Sequence, residues 1–217
     1  MNKITSILSN GYNFFIKRTH PLEDFIDSPD YFRIYRYFSK ERRMHRFPGG
    51  WIYKGRKYPD YLFVGGASFA IFEKAKRYLQ GNGVDIGAGY WKFPGSMPID
   101  SQRGEGLNNC IDDFKENSLD YLFSSHCLEH ISDWEKELNK WISKLKDNGR
   151  LFLYLPHPDC EIWHPNAPGI GSGHKWIPEP EIVKDYLTDN SMNIVYFDDG
   201  PDAMMSFSIC AEKRTAK

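Results

Sequence analysis

Past residue 60 the chain alternates stretches of helical and strand-like hydrophobic spacing. Residues 68–80 (SFAIFEKAKRYLQ) set Phe69, Phe72, Ala75 and Leu79 on one helical face, and Gly81 supplies the stop. The run GVDIG that follows is short, apolar and closed by glycine, as a buried strand is, and residues 96–100 (SMPID) read as a second strand ending on an acid. Residues 119–124 (LDYLFS) form a third candidate strand. Ser132 and Glu135 have the spacing of a capping box, and Trp134, Leu138, Trp141, Ile142 and Leu145 supply the apolar stripe of a helix that Asp147-Asn148-Gly149 should end. A strand over 150–155 (RLFLYL), a helix over 180–189 with Ile182, Val183, Tyr186 and Leu187 on one face, and strands near 193–197 and 204–211 complete the series. This alternation predicts an α/β protein, a Rossmann-like three-layer sandwich on a mostly parallel sheet with a closing strand pair.

Composition narrows the class. The chain has 217 residues, 41% hydrophobic and 26% charged, enough for one globular domain with an extension and unlike a disordered chain. No stretch approaches the roughly 20 apolar residues of a membrane span. Ser6, Ser9, Asn10 and Gly11 interrupt any signal-peptide core, so no secretory leader is expected. Cys110, Cys127, Cys160 and Cys210 are scattered without a C-x-x-C pair, which reads as reduced thiols in a cytoplasmic protein. Charge is uneven. Residues 1–60 hold 12 Lys and Arg against 6 Asp and Glu, leaving 16 against 23 in residues 61–217. A basic, aromatic N-terminal extension over 1–60 and an acidic domain over 61–217 are therefore expected. The extension suits a solvated basic face, an anion site or a membrane surface, and its aromatic residues 31–63 would equally suit a homodimer contact. No nucleic-acid-binding module accompanies the charge, and nucleic acid is not expected as a partner.

The chemistry concentrates after Val84. In Val84-Asp85-Ile86-Gly87-Ala88-Gly89 a strand runs into glycines that would let the backbone approach a ligand, while Asp85 could accept hydrogen bonds from the loop or from a ligand ammonium. Lys92 stands where G-x-G-x-x-G needs its last glycine, which argues against a dinucleotide such as NAD. Asp100, at the end of the second strand, is placed to hold ribose hydroxyls. Five of the seven histidines, His126, His130, His157, His164 and His174, fall between residues 126 and 174. His157, Cys160 and His164, with His126 or Cys127, could be read as metal ligands, but their spacing matches no recurrent zinc motif, and no metal is expected.

The segments DIGAGYWKFPGSMPID and ENSLDYLFSSHCLEHISDWEKELNKWISKLKDNGRLFLYLPHP resemble the class I S-adenosylmethionine-dependent methyltransferases. They are similar in particular to a branch with an S-x-x-L-E-H segment after the fourth strand, found among methyltransferases that accompany surface-polysaccharide genes. The resemblance covers residues 83–158 well and 176–211 loosely. It implies a seven-stranded sheet with an antiparallel last strand and S-adenosyl-L-methionine as cofactor. Asp85, Gly87, Ala88 and Gly89 would surround the methionine end and Asp100 the ribose. Ile111, Asp112 and Asp113 would face the adenine, and Ser125 and His126 would close the methionine side.

Only eleven positions lead from Gly89 to Asp100, too few for the usual crossover helix, so the first helix is expected to shrink to an aromatic loop around Tyr90 and Trp91. The Gly- and Pro-rich stretch 159–176 resembles the family's substrate loop. With Tyr90 and Trp91 it nominates Asp159, Trp163, His164 and Trp176 for the acceptor, and His126, His157 and His174 for proton transfer. The expected activity is methyl transfer to an oxygen or nitrogen of a small, anionic acceptor such as a sugar, sugar phosphate or phosphoramidate in surface-polysaccharide biosynthesis. The rivals are a non-catalytic nucleotide-binding module and a membrane-surface scaffold.

Overall fold

The computed structural model describes residues 44–63, 66–89, 91–100, 110–167 and 173–215. They divide into two compact units: 44–63 with 161–167 and Gly173, and 66–160 with 174–215. The expected boundary at residue 60 thus falls a few residues later, and part of the presumed substrate loop groups with the N-terminal unit.

The smaller unit is an antiparallel meander of β1 (Met44–Phe47), β2 (Gly50–Tyr53) and β3 (Arg56–Pro59), followed by a 3-10 turn over Asp60–Phe63. Trp51 packs against Phe63 at 6.2 Å between ring centres. Glu161 accepts an ion pair from Lys54 at 2.9 Å and lies 3.9 Å from Arg56, so part of the N-terminal cationic charge is engaged within its own unit.

The larger unit holds α1 (Ser68–Ala75), β4 (Gly83–Ile86), β5 (Met97–Ile99), β6 (Leu119–Ser125), α2 (Trp134–Lys144), β7 (Leu145–Pro156), α3 (Pro180–Asp189), β8 (Met192–Asp198) and β9 (Ser206–Lys213). Its sheet runs β5-β4-β6-β7-β9-β8. The first three pairings are parallel and the last two antiparallel. The described residues of the larger unit thus form six strands where seven were expected; residues 101–109, between β5 and the 3-10 turn at Ile111–Asp113, lie outside the described residues.

The two faces of this sheet differ in chemistry. One row in register across it reads Pro98, Asp85, Phe123, Phe152, Cys210, Tyr196. Phe152 stacks on Phe123 at 6.0 Å and on Tyr196 at 6.3 Å, and α1 adds Phe72 edgewise on Phe123. The opposite face is aliphatic. Val84, Leu122, Leu151, Leu153 and Ile209 share one core with Leu138, Trp141 and Ile142 of α2 and Val183 and Leu187 of α3. Helices therefore cover both faces, as the three-layer expectation requires.

No helix forms between β4 and β5. Phe93 takes its place: the ring stacks on Phe123 at 4.7 Å and 20°, and meets Phe72 and Tyr121 edgewise. A short loop replaces a crossover helix here because one buried aromatic side chain fills the volume the helix would cover.

The α2 boundaries differ from the sequence expectation. Asp133, not Ser132, is the N-cap, without a side-chain cap bond. The helix ends at Lys144, before the Asp-Asn-Gly turn, because the amides of Asn117 and Ser118 take the carbonyls of Ser143 and Lys144 while Leu145 turns extended to pair with Leu119. α1 likewise stops at Ala75, and the chain continues in turns to Tyr78.

Phe93→Ala should cost the larger unit about 3–5 kcal/mol, since it removes a fully buried ring with no neighbour free to collapse into the gap. Denaturant unfolding reads the loss, and a change below about 1 kcal/mol would show that the loop does not carry this face.

Candidate functional site

The order β5-β4-β6 makes the chain leave β4 toward one side for β5 and return on the other side for β6. Such a reversal opens a crevice at the carboxyl ends of β4 and β6, where ligands of open α/β sheets bind. The Gly87–Gly89 turn and residues 125–127 lie at these strand ends.

Backbone bonds fix the turn. The amides of Gly87 and Ala88 donate to the carbonyl of Ile99 at 2.8 and 3.4 Å, and that of Gly89 to Asp100 Oδ2 at 2.9 Å. Gly87 has φ +78°, and a Cβ there would stand 2.5 Å from the Cβ and Sγ of Cys127. Its glycine is thus required by a protein neighbour across the crevice. Gly89 differs: its φ is +53°, and among the described residues a Cβ would meet only the Gly87 carbonyl at 4.0 Å. That open side is where a ligand can approach.

Asp85 is 2% exposed and shares its face with the aromatic row. Its Oδ2 accepts the Phe93 amide at 2.6 Å. Burial pushes its pKa up to about 7, against the pull of that amide and with a smaller push from the Asp100 charge. A buried carboxyl poised near neutrality suits a cationic ammonium, so the residues present fit the methionine end of S-adenosylmethionine.

On the β6 side, Ser124 Oγ donates to the Ile86 carbonyl at 3.0 Å and knits the two strand ends together. Ser125 ends the strand, half-buried. His126 follows at φ +50°, with Nε2 2.9 Å from Ser206 Oγ and its ring edgewise on Tyr154. Burial, then the neighbouring His174 and His130, lower its pKa to about 3, so it is a neutral imidazole. Burial pushes the Cys127 thiol up to about 12, which removes it as a thiolate nucleophile. Glu129 is fully buried, and burial raises its pKa to about 8. His157 leaves the end of β7 half-buried, its Nδ1 accepting the Asp159 amide at 3.1 Å, while Asp159 itself is exposed.

Other nominated residues have structural work. Ile111 is core. Asp113 accepts the Cys110 amide, and Asp112 meets Lys140 at 3.4 Å; both acids are exposed. Trp91 packs on Phe69 at 5.6 Å. Trp176 stacks on Trp134 at 4.5 Å and donates to the Leu128 carbonyl. Trp163 and His164 belong to the smaller unit, and Tyr90 lies outside the described residues. Sequence reasoning missed Phe93 as the partner of Asp85; its place eight residues on, in a Pro-Gly loop, carried no periodic signal.

Comparison with known proteins agrees with this geometry. Residues 107–153 match the methyltransferase domain family. No curated protein matches the chain. Among solved structures, an S-adenosylmethionine-dependent methyltransferase from Thermotoga maritima is 16% identical with a TM-score of 0.56, over 68% of this chain and 89% of that one. One from Mesorhizobium loti is 14% identical with a TM-score of 0.52, over 69% and 99%. At these identities the likeness establishes the fold. Among the described residues no helix is long and apolar enough to cross a membrane.

The raised pKa of Asp85 has a direct consequence. The folded state keeps a proton that the unfolded chain releases at its ordinary 3.8, so this group's contribution to stability falls as pH rises from 3.8 to about 7. Thermal unfolding of the ligand-free chain should follow that slope, and Asp85→Asn should flatten it. Parallel pH profiles for the two chains would contradict the assignment.

Proposed function

We infer, from this fold and the methyltransferase-domain match of residues 107–153, that the chain is a class I S-adenosylmethionine-dependent methyltransferase. The observation that carries the reading is two acids at the crevice of a β5-β4-β6 sheet, Asp100 taking the amide of Gly89 in the glycine turn and Asp85, on the strand before it, the amide of Phe93 in the loop after it. When bound, the cofactor supplies an activated methyl group whose bonding electrons return to sulfur as the methyl passes to an acceptor lone pair. The protein's part is alignment and exclusion of water.

Residue roles follow from position. Asp85 faces the ammonium of the methionine end, and Asp100, held by the Gly89 amide, takes the ribose hydroxyls. Gly89 leaves the approach open. Ser125 and His126 border the methyl group's side, and the exposed acids Asp112 and Asp113 the adenine side. A hydroxyl or ammonium acceptor must also lose a proton. His126, held neutral by burial, can orient an acceptor but not carry its proton away. We therefore assign the base role to His157, which leaves the end of the adjacent strand with Nδ1 accepting the Asp159 amide.

For the acceptor we propose a small anionic molecule of the sugar, sugar phosphate or phosphoramidate class. The basic residues of 1–60, Lys57 among them, support an anion; guanidinium and ammonium groups pair with phosphate. Within the larger unit, Asp159 and Trp91 remain its nominated contacts.

Gly89→Val should lower affinity for S-adenosylmethionine more than 100-fold, because a branched side chain fills the open side and resists the positive φ. Asp100→Ala should lower it about tenfold or more, the loss of one or two ribose hydrogen bonds. Calorimetry on chains with native circular dichroism reads both. Wild-type affinity in both variants would place the cofactor elsewhere or nowhere.

A further inference from the structure

Two acids are buried in the described residues of the larger unit, and they are treated differently. Asp85 has the Phe93 amide. Glu129 is 0% exposed, and among the described residues neither of its carboxylate oxygens has a hydrogen-bond partner. A buried carboxyl without a hydrogen-bond partner is costly whether or not it is charged, and a bound ion is one physical reason for a native structure to keep one.

Imidazoles surround it. His174 Nε2 lies 3.8 Å from Glu129 Oε1, and His126 Nδ1 lies 3.6 Å from the same oxygen. Both distances exceed a hydrogen bond. One ligand atom each from Glu129, His130 and His174 fall within 4.8 Å of one another. Donors bound to a common ion at about 2.0–2.2 Å stand roughly 3–4 Å apart, so these groups are spaced to share a cation after a small inward movement. The Glu129–His174 and Glu129–His126 separations are within ion-pair reach and beyond a hydrogen bond.

The backbone holds them in place. Glu129 and His130 sit in the 3-10 turn Leu128–His130, just past β6. The Lys175 amide donates to the Glu129 carbonyl at 2.8 Å, and Trp176 Nε1 to the Leu128 carbonyl at 3.0 Å. Trp176 is stacked at 13° on Trp134 of α2. These bonds clamp His174 over the turn, and its ring meets that of His130 edgewise at 4.6 Å. Ligands fixed on anchored elements lose little freedom on binding an ion.

We propose that Glu129, His130 and His174 form a binding site for a divalent first-row transition-metal ion of the zinc type. Two neutral imidazoles and one carboxylate suit such an ion, whereas magnesium and calcium favour oxygen donors throughout. Spacing along the chain concealed the site, because the third ligand lies forty-four residues beyond the second and the expectation of no metal rested on spacing alone. His130 is exposed, which leaves the ion a side open to water or to another oxygen ligand. The metal site stands independently of the methyltransferase reading; a role in holding an acceptor oxygen rests on that reading.

The test uses the untagged full-length chain, stripped with a chelator and titrated with zinc chloride by calorimetry. One zinc per chain is expected, with affinity at least tenfold lower in Glu129→Gln and in His174→Ala and unchanged in Cys110→Ser. No zinc uptake overturns the proposal, as does wild-type affinity in folded Glu129→Gln and His174→Ala chains. Cobalt(II) bound to the wild-type chain gives a second reading that does not depend on a variant's folding. Ligand-field bands without thiolate charge transfer support the site, and a thiolate band assigns the ion to Cys127 and overturns it. Uptake is measured without cofactor, so a chain that takes zinc but no S-adenosylmethionine keeps the metal site and loses the functional reading, and the reverse result separates them equally.

Discussion

The 2.6 Å hydrogen bond from the Phe93 amide to the buried Asp85 carboxylate anchors the glycine turn at the end of β4. It pins the loop after Gly89 to the strand before Gly87, so the turn between them is bounded at both ends. The same loop seats the Phe93 ring on Phe123, which removes water from Asp85 and raises its pKa. Folding and ligand chemistry are thereby coupled: the packing that replaces a crossover helix also prepares a carboxyl for a cationic partner.

Much of the larger unit was legible because its elements obey simple periods. The stripe Leu138, Trp141, Ile142 and the helix Pro180–Asp189 were visible as 3.6-residue patterns, and each found its core. Lys144 was not visible as a terminus, since the groups that close the helix are the amides of Asn117 and Ser118, brought by β6 from elsewhere in the chain. The same limit applies to the site. Local sequence nominated Asp85, Gly89 and Asp100, and the structure sets Asp100 against the Gly89 amide and Asp85 against the Phe93 amide. The reason for Gly87 was not readable: the sequence suggested a ligand, and the structure adds Cys127 across the crevice. Trp176 was nominated for the acceptor, and a stacked Trp134 occupies one face of its ring.

The two sides of the crevice divide the chemistry. On the β4 side, two acids flank a glycine turn, the arrangement proposed above to receive the cofactor. On the β6 side, His126 is neutralised by burial and Glu129 is left without a hydrogen bond. A cation shared by Glu129, His130 and His174 would resolve that imbalance, and it would give the acceptor side a charge that the neutral His126 cannot supply.

The central claim is that the Gly87–Gly89 turn with Asp85 receives S-adenosylmethionine. Calorimetric titration of the wild-type chain at pH 6, in two buffers of different ionisation enthalpy, tests it most directly. At that pH Asp85, with its pKa near 7, is mostly protonated, and pairing with the ligand ammonium should expel the proton. The account predicts binding with net proton release, seen as a buffer-dependent heat. Absence of binding, or binding whose heat is the same in both buffers, would contradict it.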